Sequence, residues 1–531
     1  MRAGAAHRVG SDAVPGLPRP STVAPQRLAD LATAVAGVAL TAQDGPADVA
    51  VTGVTHASDA VRPGDLFAAL PGARRHGADF VPGAVAAGAV AVLTDAAGAP
   101  AAAAAGVPAL VADEPRGVLG AVAAAVYGHP TRTLRIVGIT GTAGKTSTAY
   151  LVESGLRAAG RVTGLIGTVE TRLGELRVDS ARTTPEATDL QALFAAAAEA
   201  GVTDVVMEVS SHALAMGRVG GVRFAAGGFT NFGLDHLDFH ADVDDYFAAK
   251  AKLFDGRSDV EVINRDDPAL APLLRPHTVT YSAAGDPAAT WRAADVTTDG
   301  YAQRFTALGP AGPVRAGVAL PGTHNVANAL LAIALLSAVG VDPATAARGV
   351  AACPGVPGRL EQVPSAGGAA GGAAGGPLGV VDYAHKPDAI VAALAALREL
   401  AGSRGGRLLC VIGAGGDRDT GKRPLMGAAA ARGADLVVVT DDNPRTEDPA
   451  AIRSAVRAGA EQAGAASKII EVAGRRAAID EAVRLAGAAD VVALLGKGHE
   501  RGQEVDGQVL PFDDRVELAD ALRAIAEGTT A

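Results

Sequence analysis

Two stretches of this chain place reactive side chains at spacings that chemistry uses. In "GITGTAGKTST", Gly138 to Thr148, a glycine-rich turn joins an apolar run to a helical pattern beginning near Lys145. Glycines let the backbone approach a phosphate closely, and a helix N-terminus offers N–H donors and a positive dipole end. Lys145 has the reach for β- and γ-phosphates, and the Thr146 hydroxyl is placed to ligate Mg²⁺. The spacing is GxxGKT from Gly141 to Thr146, because Ile139 stands where the longer GxxxxGK[ST] pattern has its first glycine. With a strand before it and a helix after it, the stretch reads as a nucleotide site rather than a plain turn. The second stretch, "VVVTDDNPRTEDP" from Val437 to Pro449, ends an apolar run in acids, an amide, a proline and an arginine. It fits a solvated turn, which composition alone favours, or a site for a ligand carrying both signs of charge.

Other candidates lie between them. Glu208 ends the strand-like "DVVMEV", and "LDHLDFH", Leu234 to His240, is read as ending another. A carboxylate and an imidazole at a sheet's C-terminal edge, beside a triphosphate, suit a divalent cation. Taken singly, each reads equally well as a satisfied polar strand end. Lys250 sits in "YFAAKAKLF" with Tyr246, Phe247 and Phe254. On its own it reads as a surface lysine whose stem covers apolar area.

These side chains need a scaffold, and the apolar patterning supplies an α/β one. "GDLFAALPG" (Gly64 to Gly72) reads as a strand closed by a Pro-Gly turn, and "FVPGAVAAGAVAVLTD" (Phe80 to Asp95) as a helix followed by a strand. "LRIVGIT", "VTDVVMEV", "RLLCVIG", "ADLVVVT" and "ADVVALLG" are buried strands that end in glycine or polar residues. Strands alternating with helices imply largely parallel sheets with ligands at the strands' carboxyl ends. The reading is a disordered lead-in over 1–27, rich in Pro, Gly and Ser, followed by three α/β units. They are a small one at 28–130, a central one at 131–355 with a mostly parallel sheet around the phosphate loop, and a Rossmann-like one at 356–531. A Gly/Ala-rich loop over 365–377 is expected to be disordered and without function.

Bulk properties exclude several classes. A chain of 531 residues is too long for one core. A formal charge of -10 argues against a nucleic-acid binder. Two separated cysteines, Cys353 and Cys410, fit a reducing cytoplasm, where both thiols pack as small apolar groups. No apolar run reaches the ~18 residues of a membrane span, and the N-terminal segment lacks the apolar region of a signal peptide.

Taken together, the motifs resemble a known family. "TGTAGKTST", "MEVSSHAL", "FTNFGLDHLDFH", "YFAAKAKLF", "LPGTHNVANAL", "PGRLEQV", "VVDYAHKPDA", "GAGGDRDTGKRPLMG", "TDDNPRTEDP" and "GKGHE" follow the order found in the ATP-dependent Mur ligases of peptidoglycan synthesis. Within that family the chain is similar to the branch that adds diaminopimelate. The resemblance implies three domains, holding in turn a uridine nucleotide, ATP, and the incoming amino acid. It implies that ATP phosphorylates the D-glutamate carboxylate of a UDP-muramoyl dipeptide, and that the amine of diaminopimelate then displaces phosphate. It also implies a monomer.

Residue by residue, the resemblance puts Gly141, Thr142, Ala143, Gly144, Lys145, Thr146 and Ser147 around the ATP phosphates. Asn325, Asn328, Arg359 and Asp382 match further ATP contacts. Thr146, Glu208, His236 and Lys250, the last as a carbamate, match Mg²⁺ ligands. Lys250 matches a carbamylated lysine, which displaces the surface reading, and Lys145, Lys250 and His236 form the implied catalytic set. Ser58, Thr183, Thr184, Ser210 and Arg218 match contacts to the UDP-muramoyl dipeptide. Arg418, Asp442, Asn443, Pro444, Arg445, Gly496 and Glu500 match the amino-acid pocket. On this reading Arg445 and Arg418 take the distal carboxylate of diaminopimelate, and Asp442 or Glu500 meets its distal ammonium. Lysine is then rejected because it would leave Arg445 buried and unpaired. Ala143 stands where the family loop has Asn or Ser, and Lys386 where threonine is common. The alternatives are a lysine-adding relative, which lacks the arginine after Asn-Pro; folylpolyglutamate synthase, which lacks "DNPR"; and a P-loop ATPase or kinase of another class.

Overall fold

The computed structural model describes residues 17–41, 49–180, 182–364 and 376–528. Residues 1–16 of the expected lead-in and 365–375 of the Gly/Ala-rich loop lie outside them. The chain divides into two compact units, one running to Tyr281 and including Leu331–Gly349, the other comprising Ser282–Leu330 and the chain from Val350.

Two larger sheets organise the first unit. In the smaller, strands Gly53–Thr55, Asp65–Ala68, Ala91–Thr94 and Ala109–Val111 run parallel, and Ala39–Thr41 closes one edge antiparallel. The Ala-rich helix Pro115–Val126 packs its buried side over this sheet with Leu119, Val122 and Val126. Small side chains let helix and strands approach closely. The second sheet has six parallel strands in the order Thr163–Ile166, Asp204–Glu208, Arg135–Thr140, Ala226–Phe229, Glu261–Asn264, Val279–Ser282. A hairpin, Glu170–Leu173 with Leu176–Asp179, extends one edge antiparallel. Arg135–Thr140 lies between two neighbours and is buried after its first residue, which is why "RIVGIT" reads as an unbroken apolar run.

In the second unit, six strands take the order Glu361–Val363, Leu378–Asp382, Val491–Leu495, Leu408–Ile412, Leu436–Val439, Lys468–Glu471. All but the first pair in parallel. This ordering makes neighbours of four motifs far apart in sequence. "DYAH", "GKGHE", "GAGGDRD" and "TDDNPR" leave adjacent strands at the same edge. An antiparallel meander, Trp291–Asp299, Ala302–Gly309 and Gly312–Val318, belongs to the same unit.

Two expectations change here. The lead-in is not disordered throughout: Arg19 forms a two-pronged ion pair with the nearly inaccessible Asp65 at 2.7 and 2.8 Å, and Gln26–Arg27 pairs with Ala50–Val51. A buried carboxylate demands a cation, and the segment supplies one. Nor does "LDHLDFH" end a strand. The strand Ala226–Phe229 stops earlier because the following residues turn to the phosphate loop, with the Gly233 N–H donating to Thr142 Oγ1 at 3.0 Å and that of Phe232 to Asp267 at 2.7 Å.

Candidate active site

The phosphate loop is shaped by glycine geometry and by two polar residues from the neighbouring strand's exit. Gly141 has φ +140°, and a Cβ there would come within 1.8 Å of Thr230 Oγ1. Gly144, left-handed at φ 83°, precedes the helix Lys145–Ala158. The Thr142 N–H donates to the Asn231 carbonyl at 2.8 Å, and that of Ala143 to Asn231 Oδ1 at 3.0 Å. Thr230 Oγ1 and Asn231 Nδ2 donate to the Ala143 carbonyl at 2.6 and 3.1 Å. Only the main chain of Ala143 enters these bonds, so alanine replaces a larger residue here without loss of the cradle. Ser147 is buried in the helix's first turn.

Two lysines meet at this loop. Lys145 Nζ donates to the carbonyls of Gly141 and Thr142 at 2.8 and 3.2 Å. Lys250, on the helix Val243–Ala251, is only 1% exposed and donates to the same Gly141 carbonyl at 2.9 Å, with its Nζ 4.6 Å from the Tyr246 ring centre. The surface reading of Lys250 is therefore overturned. Its helix packs Tyr246 against the loop, with Tyr246 Oη 3.2 Å from Thr142 Oγ1, and burial raises the phenol's pKa.

Glu208, also buried, accepts from Thr146 Oγ1 at 3.0 Å and from the Thr168 N–H at 2.8 Å. A hydroxyl and a carboxylate side by side are the hard oxygen donors Mg²⁺ takes, a few at a time, with substrate oxygens and water completing its shell. His236 is placed differently. Its backbone is left-handed at φ 53°, its Nε2 lies 3.1 Å from Asp235 Oδ2, and its ring meets His212 edge-on at 4.7 Å. Among the described residues no group of three or more His, Cys, Asp and Glu side chains is gathered to hold a metal ion. The Thr146 hydroxyl and the Glu208 carboxylate thus form a hard-oxygen pair that fits magnesium.

Around Glu208 lie four residues matched to the dipeptide substrate. Thr184 Oγ1 donates to the Glu208 carbonyl at 2.8 Å and accepts from the Ser210 N–H at 3.1 Å. Ser210 caps the helix Ser211–Ala215, and Thr183 Oγ1 is 2.9 Å from Thr168 Oγ1. Arg218 pairs with Glu186 at 2.9 Å, and Glu186 also pairs with Arg116 at 3.3 Å. Burial depresses the pKa of Arg218 against the pull of Glu186. Arg116 lines a cavity of about 490 Å³ with Ser58, His56, Phe67, Arg75 and Phe80. Ser58 therefore belongs to that cavity, to which the arginine–glutamate chain leads.

In the second unit, Asn325 and Asn328 are buried and locked together. Asn328 Nδ2 donates to Asn325 Oδ1 at 3.0 Å, and Asn325 Nδ2 to the Pro321 carbonyl at 2.8 Å. Asp382 accepts the N–H groups of Leu360 and Ala384 at 2.7 and 2.8 Å. Burial raises its pKa, opposed by Arg359, whose guanidinium lies 4.5 Å from the Tyr383 ring centre. Next to it, burial, with Lys386 adding to the effect, pulls His385 down to about 3, so that imidazole is neutral at pH 7.

The residues matched to an amino-acid pocket depart most from expectation. The two acids of "TDDNPR" do different work. Asp441 anchors structure, bonded to Arg453 and to the Gly474 N–H at 2.8 Å, whereas Asp442 faces Gly496, whose φ of +115° leaves no room for a Cβ, 2.5 Å from Asp442 Oδ2. Lys497, which is 0% exposed, donates to Asn443 Oδ1 at 3.1 Å, Glu500 Oε2 at 3.3 Å and the Gly502 carbonyl at 2.6 Å. It also stands 4.0 Å from Asp442 Oδ1. Asn443 Nδ2 in turn donates to Glu500 at 2.9 Å. Arg445, left-handed at φ 55° after Pro444, donates Nε to Glu504 at 3.0 Å and Nη1 to the Gly416 carbonyl at 2.6 Å. Arg418 is exposed. The rejection mechanism expected from the sequence is therefore wrong in one respect. Arg445 is not an uncompensated cation, because it pairs with Glu504 at 3.0 Å.

Residues 139–336 match the Mur ligase middle domain, 358–498 the Mur ligase glutamate ligase domain, and 50–127 the catalytic domain of the Mur ligase family. The chain belongs to the Mur ligase family. UDP-N-acetylmuramoyl-L-alanyl-D-glutamate–2,6-diaminopimelate ligase of Streptomyces coelicolor is 53% identical over 516 residues, covering 96% of this chain and 99% of that one. The protein of the same name from Corynebacterium glutamicum is 46% identical over 471 residues, covering 86% and 89%. A solved structure of a ligase of that name superposes with a TM-score of 0.65 at 30% identity, covering 92% of this chain and 98% of the other. Several site neighbours had not been singled out from the sequence: Thr230 and Asn231, within "FTNFGLDHLDFH", under the glycine loop, and Lys497, Gln503 and Glu504 beside Asp442, Asn443 and Arg445. "GKGHE" had flagged the region, but only Gly496 and Glu500 had been singled out within it.

Proposed function

We propose that the protein is the ATP-dependent ligase that joins diaminopimelate to the D-glutamate of UDP-N-acetylmuramoyl-L-alanyl-D-glutamate, a cytoplasmic step acting as a monomer. The arginine after Asn-Pro carries the choice of amino acid: Arg445 sits at the edge where four strand-end motifs meet, and lysine has no second carboxylate to offer it. Extensive identity with ligases named for this reaction supports the reading. Among the described residues no helix is long and apolar enough to cross a membrane.

Activation by ATP, with Mg²⁺ screening its phosphates, turns an unreactive carboxylate into an acyl phosphate with a good leaving group. The chain's own work is then positioning and charge neutralisation. Backbone N–H groups of the loop and the ammonium of Lys145 cradle the phosphates, while Thr146 and Glu208 would hold the cation. Thr183, Thr184, Ser210 and Arg218 orient the glutamyl end of the dipeptide close to Glu208. Lys250, as a carbamate, would place an anion beside Lys145, turning a repulsion between two cations that share one carbonyl into an attraction.

The test is ADP release. It should require both the UDP-muramoyl dipeptide and diaminopimelate, and full ATP turnover with either one missing would sink the ligase reading.

A further inference from the structure

Glu186 follows Thr183, Thr184 and Pro185 and stands at the head of the helix Ala187–Glu199. A glutamate there could cap the helix, but its side chain makes no capping bond. The buried carboxylate turns instead to two arginines from separate parts of the first unit. Oε1 accepts from Arg218 Nη2 at 2.9 Å and Oε2 from Arg116 Nη1 at 3.3 Å. Arg116 is carried by the helix Pro115–Val126, and Arg218 by the turn that follows the helix Ser211–Ala215. Glycines bring these two elements together. A Cβ on Gly120 would meet the Gly220 carbonyl at 2.4 Å, and one on Gly221, left-handed at φ +71°, would meet the Gly120 carbonyl at 2.6 Å. Gln191, on the helix that Glu186 heads, donates Nε2 to the same Gly220 carbonyl at 3.2 Å.

The carboxylate shares a frame with the residues matched to the dipeptide. Pro185 fixes the backbone between Thr184 and Glu186, and Thr184 is bound to the Glu208 carbonyl and the Ser210 N–H. Arg218 Nη1 donates to the Thr184 carbonyl at 3.4 Å, so its guanidinium is referred to that frame at two points. A free arginine loses rotamer freedom when it grips a carboxylate, and a guanidinium already held in place loses less. Two guanidiniums share one carboxylate here, so Glu186 does not cancel the charge of Arg218 and the trio keeps an excess of positive charge. The glutamyl end of the dipeptide brings two carboxylates, only one of which is activated. We infer that Glu186 is a positioning residue of the dipeptide site, presetting the Arg218 guanidinium for a carboxylate of the substrate's glutamate. This rests on the placing of the glutamyl end beside Thr183, Thr184, Ser210 and Arg218 proposed above.

The experiment measures the Kd of two ligands by calorimetric titration, without ATP or amino acid, so that it does not depend on ligation. One ligand is UDP-N-acetylmuramoyl-L-alanyl-D-glutamate, and the other is UDP-N-acetylmuramoyl-L-alanine, which lacks the glutamate. Glu186→Gln should weaken binding of the first by about tenfold, the worth of one charge-assisted contact, and binding of the second by less than about twofold. In an Arg218→Ala background the same substitution should change either Kd by less than about twofold, because a residue that acts through Arg218 has nothing left to position. Equal weakening of both ligands would show that Glu186 only clamps the helix to the turn, and would overturn the inference. So would no weakening of either, or a tenfold loss that persists without Arg218. If Glu186→Gln fails to fold, Glu186→Asp, which keeps the charge and shortens the reach, must show the same split between the two ligands or the inference falls. An unmodified protein that binds both ligands equally well would instead remove the proposed place of the glutamyl end, on which this inference rests.

Discussion

The glycine loop at 141–146 and the charged cluster around Arg445, the two sites proposed for phosphate and amino acid, are built by opposite means. The loop is a main-chain device, in which glycines at φ +140° and 83° set the path and the side chain of Ala143 takes no part in the described bonds. The cluster is a side-chain device, where Asp442, Asn443, Arg445, Lys497, Glu500 and Glu504 satisfy one another. Main-chain sites tolerate substitution wherever a Cβ fits. Side-chain networks do not, since removing one member strands its buried partners.

The contrast predicts a graded set of effects. Lys250→Ala removes a side chain that shares the Gly141 carbonyl with Lys145, and ligation should fall by roughly a thousandfold or more, with partial recovery on adding short carboxylates. Full activity without rescue would dispose of the carbamate role. Arg445→Ala should raise the KM for diaminopimelate by about 10- to 100-fold and leave that for ATP nearly unchanged, and steady-state kinetics in both substrates will show whether the losses separate. Lys497→Met leaves Asn443 and Glu500 without their buried donor, and the KM for diaminopimelate should rise about tenfold, with partial recovery in Lys497→Arg. At the small end, Ala143→Ser should move the KM for ATP by less than about twofold, whereas Gly141→Ala, driven into Thr230, should abolish measurable ATP binding in a calorimetric titration. A large effect at Ala143 would erase the distinction between the two sites.

The same distinction governs what could be read from the chain. The strand, the glycines, Lys145 and Thr146 fall within one short segment, so the loop was legible as a motif. The parallel sheets were legible too, because strands buried on both faces appear as apolar runs. The pocket network was legible only in part. Asn443 and Lys497 are 54 residues apart and Arg445 and Glu504 59, and no local periodicity encodes such pairings. Lys250 shows the limit most plainly. Helical periodicity placed it among aromatics, but whether a loop carbonyl or water lay above it depended on the loop that follows the strand Arg135–Thr140, more than a hundred residues earlier. Arg19 went unseen for a related reason: composition suggested disorder, and the decisive fact was a buried aspartate elsewhere.

The central claim is that Arg445 and its neighbours select an amino acid with a second carboxylate. An amino-acid specificity assay with the muramoyl dipeptide fixed tests it most directly, comparing kcat/KM for the meso and LL isomers of diaminopimelate with that for lysine. At least one isomer should exceed lysine by roughly a hundredfold or more, as expected when a site built for a charged group meets a substrate lacking it. Lysine used as well as either isomer would contradict the account.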